Sequence, residues 1–236
     1  LEAGTRVVKV LADIVGGSNS TFTMHLWGVA DVTVVDTQLG ANVLSDLVSN
    51  ATFTKRSSGE QTVNAGTITI TKMTSSPSGD IVDAASNALL AKFELKAAGE
   101  KVKIETLYVS AVVSDTSVAS LRNGMLLANG VQIGSTSTLH DNGSATAQTT
   151  FNLGSSLIVE PGSPVTLEVK ADIFDNDGTN NINAADTILV RLEGASTNNN
   201  ATGLVSSTTL DVPAADVDAN TLTVRQGSLT LSKYTA

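Results

Sequence analysis

The chain has 236 residues and a formal net charge of −9, and 41% of its residues are hydrophobic while only 3% are aromatic. It contains no cysteine, which excludes disulfide scaffolds, zinc fingers, iron–sulfur sites and thiol nucleophiles. The acidic balance argues against nucleic acid as a partner, because phosphate binding needs clustered lysine and arginine, and no apolar run approaches the roughly 20 residues of a membrane span.

The chain begins at Leu1 without an initiator methionine or a charged and apolar leader, so we expect either a processed chain or a segment of a longer one. The first strand signal follows at once. Successive strand residues face opposite sides of a sheet. The alternation here predicts a strand whose inward side chains are Val8, Val10, Ala12 and Ile14.

The lone tryptophan, Trp27, lies in residues 23–27, which read as a strand. We expect it in the core or at an edge, and a ligand-stacking role is the alternative. Helical spacing is weak and confined to residues 40–50 and 80–91.

Further strands are predicted by the same alternation, and their inward residues are Ile68, Ile70, Phe93, Leu95, Ala97, Val102, Ile104, Val165, Leu167, Val169, Ala171, Ile173, Ile188, Val190 and Leu192. Turn signals separate them, including an Asn-Gly pair at 129–130 that favours a type I′ hairpin. Polar outer faces indicate antiparallel sheets. The predicted fold class is therefore all-β, an antiparallel β-sandwich.

Parts of the chain recur. Residues 61–72 (QTVNAGTITITK) match residues 222–233 (LTVRQGSLTLSK) at an offset of 161, and residues 10–14 (VLADI) match residues 169–173 (VKADI) at an offset of 159. A weaker match joins residues 50–52 and 200–202. The pattern predicts repeat units of roughly 160 residues. Residues 1–61 would end one unit, residues 62–221 would form a complete unit, and residues 222–236 would begin the next.

Carboxylate and amide oxygens surround Gly178, at Asp172, Asp175, Asp177 and Asn180. Oxygen ligands at alternate positions around a glycine turn suit a hard cation, so these four residues are predicted Ca²⁺ ligands. The segment does not align with an EF-hand loop, because apolar residues fall at the first and last ligand positions. The alternative is a surface turn whose Asx side chains cap their own backbone. No other cofactor is predicted.

The only histidines, His25 and His140, stand in no spacing typical of a nucleophile or a metal site, and no G-x-S-x-G, P-loop or H-E-x-x-H motif occurs. We therefore predict that the protein is not an enzyme. Four asparagines fit the N-glycosylation motif, which matters only in an organism that glycosylates: Asn19, Asn50, Asn142 and Asn200.

Three segments, residues 91–107, 121–134 and 159–173, resemble the tandem β-sandwich (Ig-like) modules of very large bacterial cell-surface, S-layer or adhesin-like proteins. The order of their strand patterns is similar. The resemblance covers about residues 62–233, with residues 1–14 as the preceding copy. It implies an extracellular structural or adhesive role and supplies no catalytic residues.

The predicted function is that of a structural subunit of an extracellular filament, pilus-like fibre or surface layer, joined head to tail to copies of itself or to adjacent repeats. An unpaired strand edge needs a cover, and strand addition can supply it and propagate into a fibre. The predicted assembly residues are Thr223, Val224, Leu229 and Leu231 as donor, with Val8 and Val10 as acceptor. The alternatives are a piece of one long repeat polypeptide, a glycan-binding adhesin module, or a virion structural protein.

Overall fold

The computed structural model describes residues 7, 9–15, 20–43, 54–114, 119–143, 147–175, 182–227 and 231–233. The chain divides into two compact units, Leu1–Asn64 and Ala65–Ala236. We call them the N-terminal unit and the sandwich unit and describe each by itself.

The N-terminal unit consists of two-residue strands in antiparallel pairs. Its elements are β1 (Thr21–Phe22), β2 (His25–Leu26), a 3-10 turn (Val29–Asp31), β3 (Val34–Val35), β4 (Asn42–Val43), β5 (Arg56–Ser57) and β6 (Gln61–Thr62). The pairs are β1 with β6, β2 with β5 and β3 with β4. These ladders are shorter than the strands of ordinary sheets.

The sandwich unit contains long strands. They are β7 (Thr67–Lys72), β8 (Gly79–Val82), β9 (Ala88–Ala98), β10 (Val102–Val113), β11 (Leu121–Ala128), β12 (Val131–Leu139), β13 (Thr149–Val159), β14 (Val165–Asp175), β15 (Thr187–Leu192), β16 (Ala201–Gly203), β17 (Thr209–Leu210) and β18 (Val217–Arg225).

These strands form two sheets. One has the order β12-β11-β14-β9-β7 and is antiparallel throughout. The other has the order β17-β16-β10-β15-β18-β8, with β13 also paired to β10. Its pairs are antiparallel except β18 with β8, which are parallel. The predicted all-β, antiparallel sandwich is confirmed.

The core lies between the two sheets, where their inward faces meet. The alternating apolar residues predicted for β9, β10, β14 and β15 are all buried, with Phe93 and Leu167 fully so. Ile68 and Ile70 of β7 are half-buried and pack against the same cluster. The Asn-Gly hairpin is confirmed as well: Asn129 and Gly130 have φ of 49° and 82°, the positive values that a type I′ turn requires.

The helix predicted over residues 80–91 is wrong, because these residues form β8, a turn and the start of β9. Ala84 and Asn87 have positive φ, which a right-handed helix excludes. Leu90 and Ala91 are both buried, beside a register shift in the pairing of β9 with β14, so the period-two signal is lost there. In the other predicted helix, over residues 40–50, Asn42–Val43 forms strand β4, and residues 44–50 lie outside the described residues.

The strand predicted over residues 8–14 is also wrong in the described part. Residues 9–15 lie outside any strand, and Val10 and Ile14 are 64% and 51% exposed. Their sequence counterparts in β14, Val169 and Ile173, are buried because they lie in the core between the two sheets. Val8 lies outside the described residues.

Among the described residues, the structure contains no helix that is long and apolar enough to cross a membrane.

Candidate assembly surface

The predicted donor residues Thr223 and Val224 lie inside β18 of the sandwich unit. There β18 pairs with β15 on one side and with β8 on the other, and Leu222 and Val224 are buried in the core. These residues complete their own sandwich and are not free to leave it. The repeat boundary expected at residue 222 thus differs from the structure, in which β18 continues to Arg225.

The chain after β18 carries the pattern of β7. Residues 226–233 correspond by sequence to residues 65–72, which lead into and form β7. Of the predicted donor residues in this segment, Leu231 is 89% exposed and outside any strand, and Leu229 lies outside the described residues. Leu231 is therefore the described donor candidate that the sandwich does not already use.

A buried carboxylate holds the start of β7. The Gly66 backbone N–H donates to Glu100 Oε1 over 2.9 Å, and the N–H groups of Val205 and Ser206 donate to Glu100 Oε2 over 2.6 and 2.8 Å. Glu100 is only 8% exposed. A Cβ built on Gly66 would lie 2.3 Å from Glu100 Cγ, so the close approach requires glycine there.

The pKa of Glu100 reflects these contacts. Burial raises the pKa, but hydrogen bonds from the Ser206 hydroxyl and from the backbone N–H groups of Ser206, Gly66 and Val205 outweigh it and lower the pKa to about 2. Glu100 is therefore a structural anion at neutral pH, held by donors from the start of β7 and from the β16–β17 turn.

Side chains also join β7 and the segment after it to β18. Lys72 Nζ donates to Asn220 Oδ1 over 2.7 Å, and Asn220 Nδ2 donates to the carbonyls of Ser76 and Pro77 over 3.1 and 3.0 Å. One asparagine of the last strand thus contacts three residues of the first 13 of the sandwich unit.

At the far end of β18, Arg225 contacts the segment that follows β7. The Asp83 N–H donates to the Arg225 carbonyl over 2.8 Å, and Arg225 Nε contacts Asp80 Oδ1 at 3.2 Å. The segment that follows β7 is therefore connected to the last strand along the whole parallel pair of β8 and β18.

The N-terminal unit exposes an apolar surface formed by Val7, Val10, Leu11, Ile14, Val15 and Phe22, which range from 42% to 89% exposed. A groove of about 380 Å³ lies beside Ile14, Val15, Phe22 and Val63. Contiguous exposed apolar surface on a protein typically marks an interaction site. In the sandwich unit, the counterparts of Val10 and Ile14 are Val169 and Ile173 of β14, and both are buried.

Trp27 directly follows β2, one strand of a two-stranded pair, and is 67% exposed, so of the expected core or edge positions the core position is wrong. Lys55 Nζ lies 3.9 Å from the ring centroid, a cation–π contact, and the His25 ring meets Trp27 edge-on at 5.3 Å. His25 Nδ1 also contacts Ser57 Oγ at 2.9 Å across β2 and β5. The exposed ring is a candidate stacking surface for a ligand.

The predicted Ca²⁺ ligands fall mostly outside the described side chains. Asp177 and Asn180 lie outside the described residues, and Asp175 is described only as the last residue of β14. Asp172 accepts hydrogen bonds from the Asn87 N–H and from Asn123 Nδ2, both at 2.6 Å. Its carboxylate thus joins the turn before β9 to a side chain of β11, and calcium binding stays a prediction.

Among the described residues, no group of three acidic or histidine side chains is placed to hold a metal ion. His140 lies next to Asp141, and its backbone N–H donates to Thr149 Oγ1 over 2.8 Å.

Two glycosylation motifs lie within the described residues. Asn200 is 3% exposed, and its Nδ2 donates to the Thr106 and Val212 carbonyls, so no glycan fits there in the folded protein. Asn142 Nδ2 donates to Glu193 Oε1 over 2.8 Å. Asn19 and Asn50 lie outside the described residues.

Comparison with known proteins adds limited information. No protein-family model matches the chain. No curated protein matches it.

Three similar solved structures come from two kinds of protein. The CssB subunit of an enterotoxigenic Escherichia coli colonization factor, complemented with a donor strand from CssA, is 14% identical over 66% of this chain and 96% of its own, with a TM-score of 0.25. The CooA pilin subunit of enterotoxigenic Escherichia coli is 10% identical over 67% and 98%, with a TM-score of 0.27. AvmM, which catalyses macrocyclization in alchivemycin A biosynthesis, is 10% identical over 71% and 93%, with a TM-score of 0.26. These values are too low to transfer a function.

The sequence reading missed Glu100 and Asn220. Glu100 joins backbone groups that are far apart in the chain, and Asn220 contacts a segment that lies far from it in the chain. One sequence does not show such contacts. The sequence contained only an indirect indication of the contact made by Glu100. Gly66 stands between two apolar strand patterns and recurs as Gly227, which indicates a backbone position that another group approaches closely.

Proposed function

We propose that the protein is a non-enzymatic structural subunit of an extracellular polymer, such as a filament or surface layer at a cell surface, in which sandwich units are joined head to tail. The observation that carries the proposal is the junction sequence. The segment that leads into β7 of the sandwich unit, residues 63–72, recurs where the chain leaves β18, as residues 224–233. One complete sandwich thus lies between two copies of the same connection.

The apolar surface of the N-terminal unit supports the same proposal. Its Val10 and Ile14 carry the sequence pattern of β14, whose inward residues are buried in the core between the two sheets. A partner strand from a copy of the chain, or from an adjacent repeat, would cover Val10 and Ile14. Because donor and acceptor are different surfaces, the contact does not close and propagates into a fibre.

Assembly of the purified chain tests the proposal. Polymers of the parent chain would be followed by sedimentation and electron microscopy and compared with Leu231→Asp and with a chain ending at Gln226. We expect both variants to lose assembly, because each removes the apolar strand pattern beyond β18. Leu204→Asp, at a 45% exposed leucine of the sandwich unit, is the matched control and should assemble like the parent.

Normal assembly of both variants would contradict the strand-donation model. The native mass then separates the remaining arrangements. A mass near 24.2 kDa indicates separate subunits, whereas a much larger mass indicates that the repeats belong to one polypeptide.

A glycan-binding adhesin is the second candidate function, and the exposed Trp27 favours it. Sugars stack on aromatic rings of this kind, and the adjacent Lys55 and His25 supply polar groups. Because Trp27 is the only tryptophan, its fluorescence reports on this site alone. Saturable quenching by an oligosaccharide would support the adhesin, and an unchanged spectrum across a glycan panel would oppose it.

A further inference from the structure

We propose that the sandwich unit carries tensile load along the polymer, through first and last strands that are pulled lengthwise past their neighbours. The role rests on the proposed function, because only a unit joined through both ends is pulled at both ends. The geometry behind it belongs to the sandwich unit alone.

The chain enters and leaves the sandwich at opposite ends. β7 begins at Thr67, which pairs with Ala98 at the end of β9. β9 starts at Ala88, 10 residues earlier in the strand, which corresponds to about 33 Å at about 3.3 Å a residue. The last residue of β18, Arg225, is bonded to Asp83, which lies in the turn before Ala88. Tension between neighbouring units therefore runs along the strands.

Each terminal strand is loaded along its own length. β7 is bound to β9 through six residue pairs, Thr67↔Ala98 to Lys72↔Phe93. β18 is bound on both sides, to β15 and to β8. Ladder hydrogen bonds run across the strands, so a pull along the strand strains all of them together, whereas a pull across it opens them one after another.

The parallel pair of β8 and β18 has a specific part in this arrangement. β8 is connected to the entering end through β7, and β18 is the leaving strand. Because the two run in the same direction, tension draws them past each other in opposite senses. Asn220 opposes this sliding, since it contacts Lys72, Ser76 and Pro77 on the entering segment.

The start of β7, where the pulling force enters the sandwich unit, is held by a further set of hydrogen bonds. Glu100 binds the Gly66 N–H and, through its second oxygen, the N–H groups of Val205 and Ser206. It thereby connects the first residues of the unit to the turn that follows β16 in the other sheet.

Single-molecule force measurements on the full chain test the inference, and the absence of cysteine lets two introduced thiols define the attachment points. Handles on Asn64→Cys and Gln226→Cys pull along the terminal strands. Handles on Ala184→Cys and Gln226→Cys peel β18 from β15, which starts at Thr187. All three positions are exposed, so both proteins should have the parent's thermal stability. We expect a several-fold higher unfolding force for the first pair.

Asn220→Ala provides a second readout in both handle backgrounds. This substitution should lower the unfolding force in the lengthwise geometry. It should leave the peeling force unchanged, because peeling starts at the Gln226 end of β18 and reaches Asn220 only later. Equal forces in the two geometries would overturn the load-bearing role, and an unchanged lengthwise force in Asn220→Ala would overturn the part assigned to this residue. The measurement needs no polymer, so a chain that resists lengthwise force but never assembles would refute the proposed function alone.

Discussion

Glu100 is the residue at which charge, burial and backbone geometry act together. Its two oxygens accept three backbone N–H groups, from Gly66, Val205 and Ser206. A buried carboxylate is costly unless it is hydrogen-bonded, and here it is. Removing the carboxylate would leave these three N–H groups without their acceptor.

Replacing the Glu100 carboxylate by a neutral group of the same shape should therefore destabilise the folded protein. Glu100→Gln presents an amide N–H group to backbone donors, and we expect it to lower the free energy of unfolding by about 1–3 kcal/mol. Urea unfolding measures this. Glu160→Gln is the matched control, because Glu160 forms only a half-exposed ion pair with Lys101 and its loss should cost less than about 1 kcal/mol. Equal effects of the two variants would contradict the role of Glu100.

The pH dependence of stability should change in the same variant. The folded pKa of Glu100, about 2, lies below its ordinary value of 4.5. The folded state therefore gains stability from the ionised form, fully above pH 4.5, and loses it as the pH falls toward 2. The contribution is on the order of 3 kcal/mol. Subtracting the Glu100→Gln curve from the parent curve between pH 6 and pH 2 isolates it, and parallel curves would show that Glu100 contributes nothing.

At the scale of single elements, β14 and its sequence counterpart in the N-terminal unit have the same pattern and different surroundings. Ile173 is 1% exposed in the core of the sandwich unit, whereas Ile14 is 51% exposed. Burial depends on what packs against the apolar face of the segment, and the pattern of the segment does not reveal that.

This difference predicts unequal costs for the same substitution. Ile173→Ala should lower the free energy of unfolding by about 2–5 kcal/mol, because it leaves a cavity in the core. Ile14→Ala should cost less than about 0.5 kcal/mol in the unassembled chain. Denaturant unfolding compares them. A large loss for Ile14→Ala would show that residue 14 is buried in solution.

The end of β18 gives a second prediction for an element. A chain ending at Thr221 lacks Leu222 and Val224, both buried, and the part of β18 that pairs with β8. We expect it to lose the cooperative unfolding of the sandwich unit. A chain ending at Gln226 keeps all of β18 and should melt like the parent. Differential scanning calorimetry distinguishes them, and similar melting of both chains would contradict the assignment of β18 to this sandwich.

The strands were predictable where one face is polar and the other apolar. Lys92, Glu94 and Lys96 alternate with Phe93 and Leu95, so β9 was evident from sequence. The alanine-rich start of β9 was not, because consecutive buried residues hide the alternation. The contacts of Glu100 and Asn220 could not be predicted from the sequence either, since their partners are 34 to 148 positions away in the chain.

For the whole molecule, the two units differ in how far they satisfy their own apolar residues. The sandwich unit encloses a continuous core between two sheets. The described part of the N-terminal unit has two-residue ladders and many exposed apolar side chains, among them Leu11 and Val15. This difference in the burial of apolar side chains supports the role proposed for the chain, in which one unit adds to the next.

Because the chain enters and leaves the sandwich at opposite ends, unfolding of one sandwich would add chain length along the direction of pull. A folded sandwich contributes about 33 Å of length, while its roughly 160 residues, from the start of β7 to the end of β18, span about 540 Å when drawn out. Opening a single sandwich would therefore lengthen a fibre by about 500 Å without breaking it. A force–extension trace should show steps of this size, so a fibre built as proposed would lengthen under load before it broke.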